Sequence, residues 1–230
     1  MSLWEYLLLG FTLATSVACS SGTGTGNPSG GAELTVAAVS TEPTAQGLVE
    51  SAWVSLRRVT LVPCASDAGP LTTLDFPADL LHMPPARLSF ESSVTDYCTV
   101  RLDIAPATTG KPEALMGSSA LVTGTRADGT PFEVQSTLAT ALDFTSPAGP
   151  LDSMKLFLGV DLDAWFTDAA VQGAATTADG GALVDADHNP DVLAAFDANL
   201  GLAFALYVDA DGDERLTGDE LTPVAPATAP

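Results

Sequence analysis

Basic residues are scarce in this chain. Of its 230 residues only 8 are Lys or Arg, against 29 Asp or Glu, for a formal net charge of −21. Nucleic-acid binding rests on Lys and Arg neutralising phosphates, so no nucleic-acid partner is expected. The same shortage removes polybasic attraction to anionic lipid headgroups. Histidine is nearly missing too, with only His82 and His188. No GxSxG, HExxH, CxxC or glycine-rich phosphate loop occurs. No catalytic residue is assigned, and the chain reads as non-enzymatic. One pair keeps a hydrolase as an alternative. Asp161 and Asp163 share the polar side of an alternating run, and paired carboxylates run glycoside hydrolysis. A solvated strand face accounts for them more simply.

Apolar residues are plentiful, at 46%, enough for a core. Between Glu33 and Phe166 they alternate with polar residues at period 2, the mark of half-buried strands. Val100, Leu102 and Ile104 alternate with Thr99, Arg101 and Asp103. Phe132, Val134, Leu138, Leu142 and Phe144 share one parity, as do Met154, Leu156, Leu158, Val160 and Leu162. From Ala52 to Val62 the parity slips, which predicts a bulge near Arg57 and Arg58. Further strands are expected at Leu34–Val39, Leu71–Leu74, Arg87–Phe90 and Ser119–Thr125. Gly and Pro turn signals separate them. Seven to eight short strands suggest a mainly β fold, an antiparallel β-sandwich, with one C-terminal α-helix. The pattern resembles the immunoglobulin- or prealbumin-like sandwiches of uncharacterised bacterial lipoproteins. That resemblance covers residues 33–166 and brings no known activity.

At the N-terminus, Leu7 to Ala18 are mostly apolar. Twelve residues fit a signal-peptide core of ~7–15 and fall short of the ~20 that span a bilayer. Small residues Ser16, Val17 and Ala18 precede Cys19. This resembles the lipobox of bacterial lipoproteins, with Ser16 where Leu is usual and no Lys or Arg near the start. The resemblance implies a diacylated Cys19, and more than one acyl chain anchors a protein firmly. Ser20 in the next position, by resemblance to sorting rules, suggests the outer membrane. The Gly/Ser/Thr stretch from Ser20 to Ala32 reads as a flexible tether. With Cys19 lipidated, Cys64 and Cys98 remain as a pair in an oxidising compartment, where a disulfide is expected.

The C-terminal part is the most acidic. From Leu151 onward 15 acidic residues face only Lys155 and Arg215. Leu193, Phe196, Leu200, Phe204 and Tyr207 follow 3–4 spacing, which predicts one amphipathic helix over 190–208. Asn189 suits its N-cap and Pro190 its first turn. Asp209, Asp211, Asp213, Arg215, Thr217 and Glu220 then occupy positions 1, 3, 5, 7, 9 and 12 of a twelve-residue run. This resembles an EF-hand loop. The resemblance implies Ca²⁺ held by three Asp side chains, the Arg215 carbonyl, Thr217 directly or through water, and both Glu220 oxygens. Glu214 stands at position 6, where Gly is usual, and no exiting helix is expected after Leu221. A second cluster, Asp185, Asp187, Asn189 and Asp191, either holds another ion or serves turn and cap chemistry.

The expected organisation is therefore a signal peptide (1–18), a lipidated Cys and tether (19–32), and a β-sandwich (33–170). A helix with a calcium loop packed on it (171–222) and a disordered tail (223–230) follow. Phe157 and Trp165 share the outward parity of their strand. If exposed, they would suit a glycan- or protein-binding surface module; if covered, a structural role. The expected setting is the cell envelope.

Overall fold

The computed structural model describes residues 31–39, 47–65, 70–82, 84–91, 96–110, 112–147, 149–151, 155–167 and 169–228. Cys19 and the apolar run before it lie outside the described residues. The fold is mainly β, with two sheets and few helices. Its strands are β1 (Gly31–Ala38), β2 (Leu48–Pro63), β3 (Leu71–Asp79), β4 (Ala86–Glu91), β5 (Tyr97–Ile104) and β6 (Ala120–Thr125). There follow β7 (Pro131–Ser136), β8 (Thr140–Thr145), β9 (Lys155–Val160), β10 (Ala182–Val184), β11 (Phe204–Val208) and β12 (Ala225–Pro226). Among the described residues the α-helices are α1 (Leu162–Trp165) and α2 (Pro190–Leu200).

One sheet runs β12-β11-β9-β1-β4; the other runs β10-β7-β6-β2-β5-β8, with β3 paired to β2. The long β2 organises the second sheet. β3 lies along one of its edges, while β6 and then β5 share the other. The expected bulge is where the parity slips: Arg57 is skipped between the pairs Leu56–Ile104 and Arg58–Asp103. Asp75 on β3 takes a left-handed backbone there, with φ 53°. Its carboxylate holds the Arg57 guanidinium at 2.6 Å. The bulge flips which residues face inward, so Val54, Leu56, Val59 and Leu61 are all fully buried.

The two sheets share one hydrophobic core with both helices. Trp165 is fully buried, edge-on to Phe196 at 5.6 Å between ring centroids. Its indole N–H donates to the Leu200 carbonyl at 3.3 Å. A buried Trp normally finds such a partner.

Four features differ from the sequence reading. The pairing is not purely antiparallel: β1 runs parallel to β9, and β10 parallel to β7. The run 132–144 is two strands on opposite flanks of the sheet, β7 against β6 and β8 against β5. The predicted helix over 190–208 ends at Leu200, and Phe204–Val208 instead forms β11, antiparallel to β9. Finally, residues 223–228 are not a loose tail. The Val224 N–H bonds to the Leu206 carbonyl, Ala225 is buried, and Thr228 pairs with Asp143.

Cys64 and Cys98 are disulfide-bonded, with Cα atoms 4.8 Å apart. The bond staples the end of the β2–β5 ladder, where the Cys64 N–H already reaches the Asp96 carbonyl. Closing a loop of this length contributes about 3–4 kcal/mol in the chain-entropy model. Replacing both cysteines by Ala is expected to lower the unfolding free energy by about that much in a denaturant titration. The unreduced parent, once unfolded, should give no reaction at these two positions with a thiol reagent.

Candidate metal centre

The loop from Asp209 to Glu220 is built by local hydrogen bonds and pinned at both ends. β11 delivers its first residue, and the Asp209 N–H bonds to the Lys155 carbonyl at 3.2 Å. Asp209 is buried, and its two oxygens accept from the Gly212 N–H (2.6 Å) and the Glu214 N–H (3.1 Å). Asp211 accepts from the Asp213 N–H at 3.1 Å, and Asp213 from the Arg215 N–H at 2.9 Å. These short-range bonds curl the chain so that one carboxylate oxygen each from Asp209, Asp211 and Asp213 lies within 4.8 Å of the others. Three negative groups that close repel one another and favour a shared cation. All three donors are hard oxygens with no Cys or His in the group, which fits Ca²⁺ better than zinc.

Position 6 behaves as the loop resemblance requires. Glu214 is left-handed, with φ 65°. A non-glycine residue there costs about 1–2 kcal/mol. The Glu214 carboxylate is tied at 3.0 Å to Arg87 on β4, which also reaches Glu33 at 3.4 Å. Gly212 is left-handed too, with φ 75°. A Cβ on it would lie 1.8 Å from the Lys155 ammonium nitrogen. Two cations of the first sheet are thus seated against the loop.

Glu220 does not join the three aspartates. It folds back and closes the loop, accepting from the N–H groups of Ala210 (2.7 Å), Asp211 (3.3 Å) and Thr217 (3.1 Å). Thr217 caps the 3-10 turn that runs from Gly218 to Leu221 in place of an exiting helix. The loop lies over the outer side of the first sheet. Leu216 packs there against Ala37, Phe157 and Tyr207. Gly159 leaves room for the Tyr207 ring, which a Cβ would approach to 2.6 Å. Burial pushes the Tyr207 phenol pKa up, and the nearby Asp161 charge adds to this.

The second cluster is turn chemistry in this structure. Asp185 accepts from the Asp187 N–H, the His188 N–H and the His188 ring at 2.7–3.0 Å. Desolvation pushes its carboxyl up, but the His188 and Asp187 bonds together hold it below the ordinary range. Asn189 sits at the start of α2 with a left-handed backbone and makes no side-chain cap bond. Its amide instead ties Ala175 to the Leu183 carbonyl. Asp191 is exposed in the first turn of α2. Asp161 caps α1, its carboxylate accepting from the N–H groups of Asp163 (3.0 Å) and Ala164 (3.2 Å), and Asp163 lies in the helix rather than on the strand. Phe157 and Trp165 are both buried, so neither offers a ring to a sugar.

Two buried polar features left no mark in the sequence. Ser119 donates to Ser136, and Ser136 donates to Asp197 of α2 at 2.5 Å. Burial raises the Asp197 carboxyl, against the pull of that hydroxyl. Arg126 is buried with one hydrogen bond, to the Ala174 carbonyl at 2.8 Å, and its Nε has no partner among the described residues. Each depends on contacts between segments far apart in the chain, which no local pattern encodes. Comparison with family models, curated proteins and solved structures finds no match to this chain.

The N–H groups of Thr217 and Ala210 hold the Glu220 carboxyl below its ordinary value of 4.5. A lowered pKa means that the ionised form favours the folded loop. Its contribution is full above the unfolded value and is lost as pH falls through the folded one. In EDTA, Glu220→Gln is therefore expected to melt below the parent at about pH 7, with the gap narrowing as pH falls below the ordinary value of 4.5. A gap that stays constant with pH would show that Glu220 does not act through its charge.

Proposed function

We propose that this chain is an exported, non-enzymatic protein of the bacterial cell envelope. It is lipid-anchored through Cys19, and Ca²⁺ stabilises its C-terminal loop. In this reading the two sheets sharing a core form a β-sandwich, and the protein has a structural or recognition role. The observation that carries the calcium reading is the approach of three aspartate oxygens within 4.8 Å on a loop pinned to the sheet. Ca²⁺ takes 6–8 oxygens. Asp209, Asp211 and Asp213 would hold the ion, with the Arg215 carbonyl and Thr217 completing the set by the EF-hand resemblance. Glu220 would join only by exchanging its backbone bonds for the metal. The Cys64–Cys98 disulfide supports export, because such bonds persist in oxidising compartments. The apolar run, Cys19 and the glycine-rich tether support the anchor, and Ser20 supports delivery to the outer membrane. The calcium contribution is conformational stability rather than signalling, since the loop has no exiting helix to swing.

One preparation tests both halves. The full chain, expressed in a bacterium fed a labelled fatty acid, is expected to take up label that Cys19→Ser loses. The purified protein is expected to melt higher in millimolar Ca²⁺ than in EDTA, because a ligand of the folded state stabilises it by mass action. Asp213→Asn should remove that rise. An unlabelled parent would overturn the anchor. Equal melting in the two buffers would overturn the calcium reading.

A further inference from the structure

We infer that the outer face of the second sheet, across β2, β6, β7 and β10, is a docking groove for an extended basic segment of a partner protein. Burial alternates along these strands. Val122, Phe132, Val134 and Val184 point into the core, while Thr123, Glu133 and Leu183 face the other side. That side forms an open groove of 580 Å³, lined among others by Glu50, Thr125, Pro131, Glu133, Asp179 and Leu183.

Its three carboxylates are each held by a neutral donor. The Thr125 hydroxyl donates to Glu50 at 2.7 Å, the Gln135 amide to Glu133 at 2.5 Å, and the Thr177 hydroxyl to Asp179. Such bonds orient a carboxylate without cancelling its charge. The chain's own described cations are placed elsewhere. Arg57, Arg58, Arg87 and Arg101 pair with Asp or Glu outside the groove. Arg126 is buried against Ala174, Lys155 sits by Gly212, and Arg215 lines the cavity under the metal loop. Among the described residues no salt bridge neutralises a groove carboxylate, on a molecule of net charge −21.

A single metal ion does not fit this arrangement. Among the described residues, the three groove carboxylates do not form a group tight enough to hold one. Separated charges suit separated cations on one chain. Four strands spaced about 4.8 Å apart span about 14 Å, the reach of about four extended residues. Lys and Arg stems can lie along Leu183 and Pro131 while their heads reach the carboxylates. Arg adds paired hydrogen bonds to each carboxylate it meets. The negative field would also steer a basic partner inward.

The probe is a fluorescein-labelled peptide of alternating Arg and Gly, titrated with the full chain by anisotropy. EDTA keeps this test separate from the calcium reading, and salt at about 0.15 M screens diffuse attraction. Saturable binding is expected. Neutralising the groove with Glu50→Gln, Glu133→Gln and Asp179→Asn should weaken it at least ~10-fold, while the exposed Glu113→Gln, Asp191→Asn and Asp219→Asn, outside both the groove and the three-aspartate cluster, should weaken it less than ~2-fold. Leu183→Arg, which leaves the carboxylates intact and adds a resident cation, should also weaken it. Equal losses from the two triple variants would mean that net charge alone binds the peptide, and would overturn the groove. So would unsaturable binding by the parent.

Discussion

The pairing of Phe204–Val208 with Lys155–Val160 carries the C-terminal third of the molecule. β9 is buried on both sides of its sheet, with Leu156, Leu158 and Val160 in the main core and Phe157 on the other side. One of its edges is taken by β1. Without β11, the other edge would leave a row of backbone groups without partners inside the protein, at a cost of about 1–3 kcal/mol for each one kept from water. Five residue pairs of the β9–β11 ladder remove that cost. They also bury Phe204 and Leu206 on one face and Tyr207 on the other. The acidic loop begins at the residue after the ladder, so the position of its first aspartate is set by the sheet.

That anchorage explains how a loop lacking the usual glycine at position 6 keeps its shape. The left-handed backbone at Glu214 is unfavourable by itself, and Arg87 on β4 holds the side chain that follows from it. Lys155 lies against the turn at Gly212. The same cations that steady the loop also offset part of its negative charge.

Much of this was legible in the sequence where local pattern decides the outcome. The parity slip at Arg57 and Arg58 located the bulge, because side chains alternate along a strand and any slip must be absorbed. The Asp209, Asp211 and Asp213 spacing located the carboxylate cluster, because Asx-type bonds two to five residues apart curl the chain by themselves. What escaped was decided at a distance. Residues 204–208 continue the 3–4 spacing of α2, so a helix was the local solution. The open edge of β9 made a strand the better one, and the break falls at Gly201, where helix is weakest. Val224, Ala225 and Thr228 gave no local sign of pairing, yet β11 and β8 supply them with partners. Glu220 kept its place in the motif, but its oxygens are engaged by the loop's own amides.

If the ladder and the loop form one unit, occupying the loop must steady the ladder. Native-state hydrogen exchange at the amides of Ala205, Tyr207 and Asp209, which face β9, compared in EDTA and in Ca²⁺, tests this directly. The account predicts that Ca²⁺ slows exchange at these positions as well as within the loop, since opening the ladder would require releasing the ion. Exchange in the ladder that is indifferent to Ca²⁺, or protection confined to the loop, would contradict it.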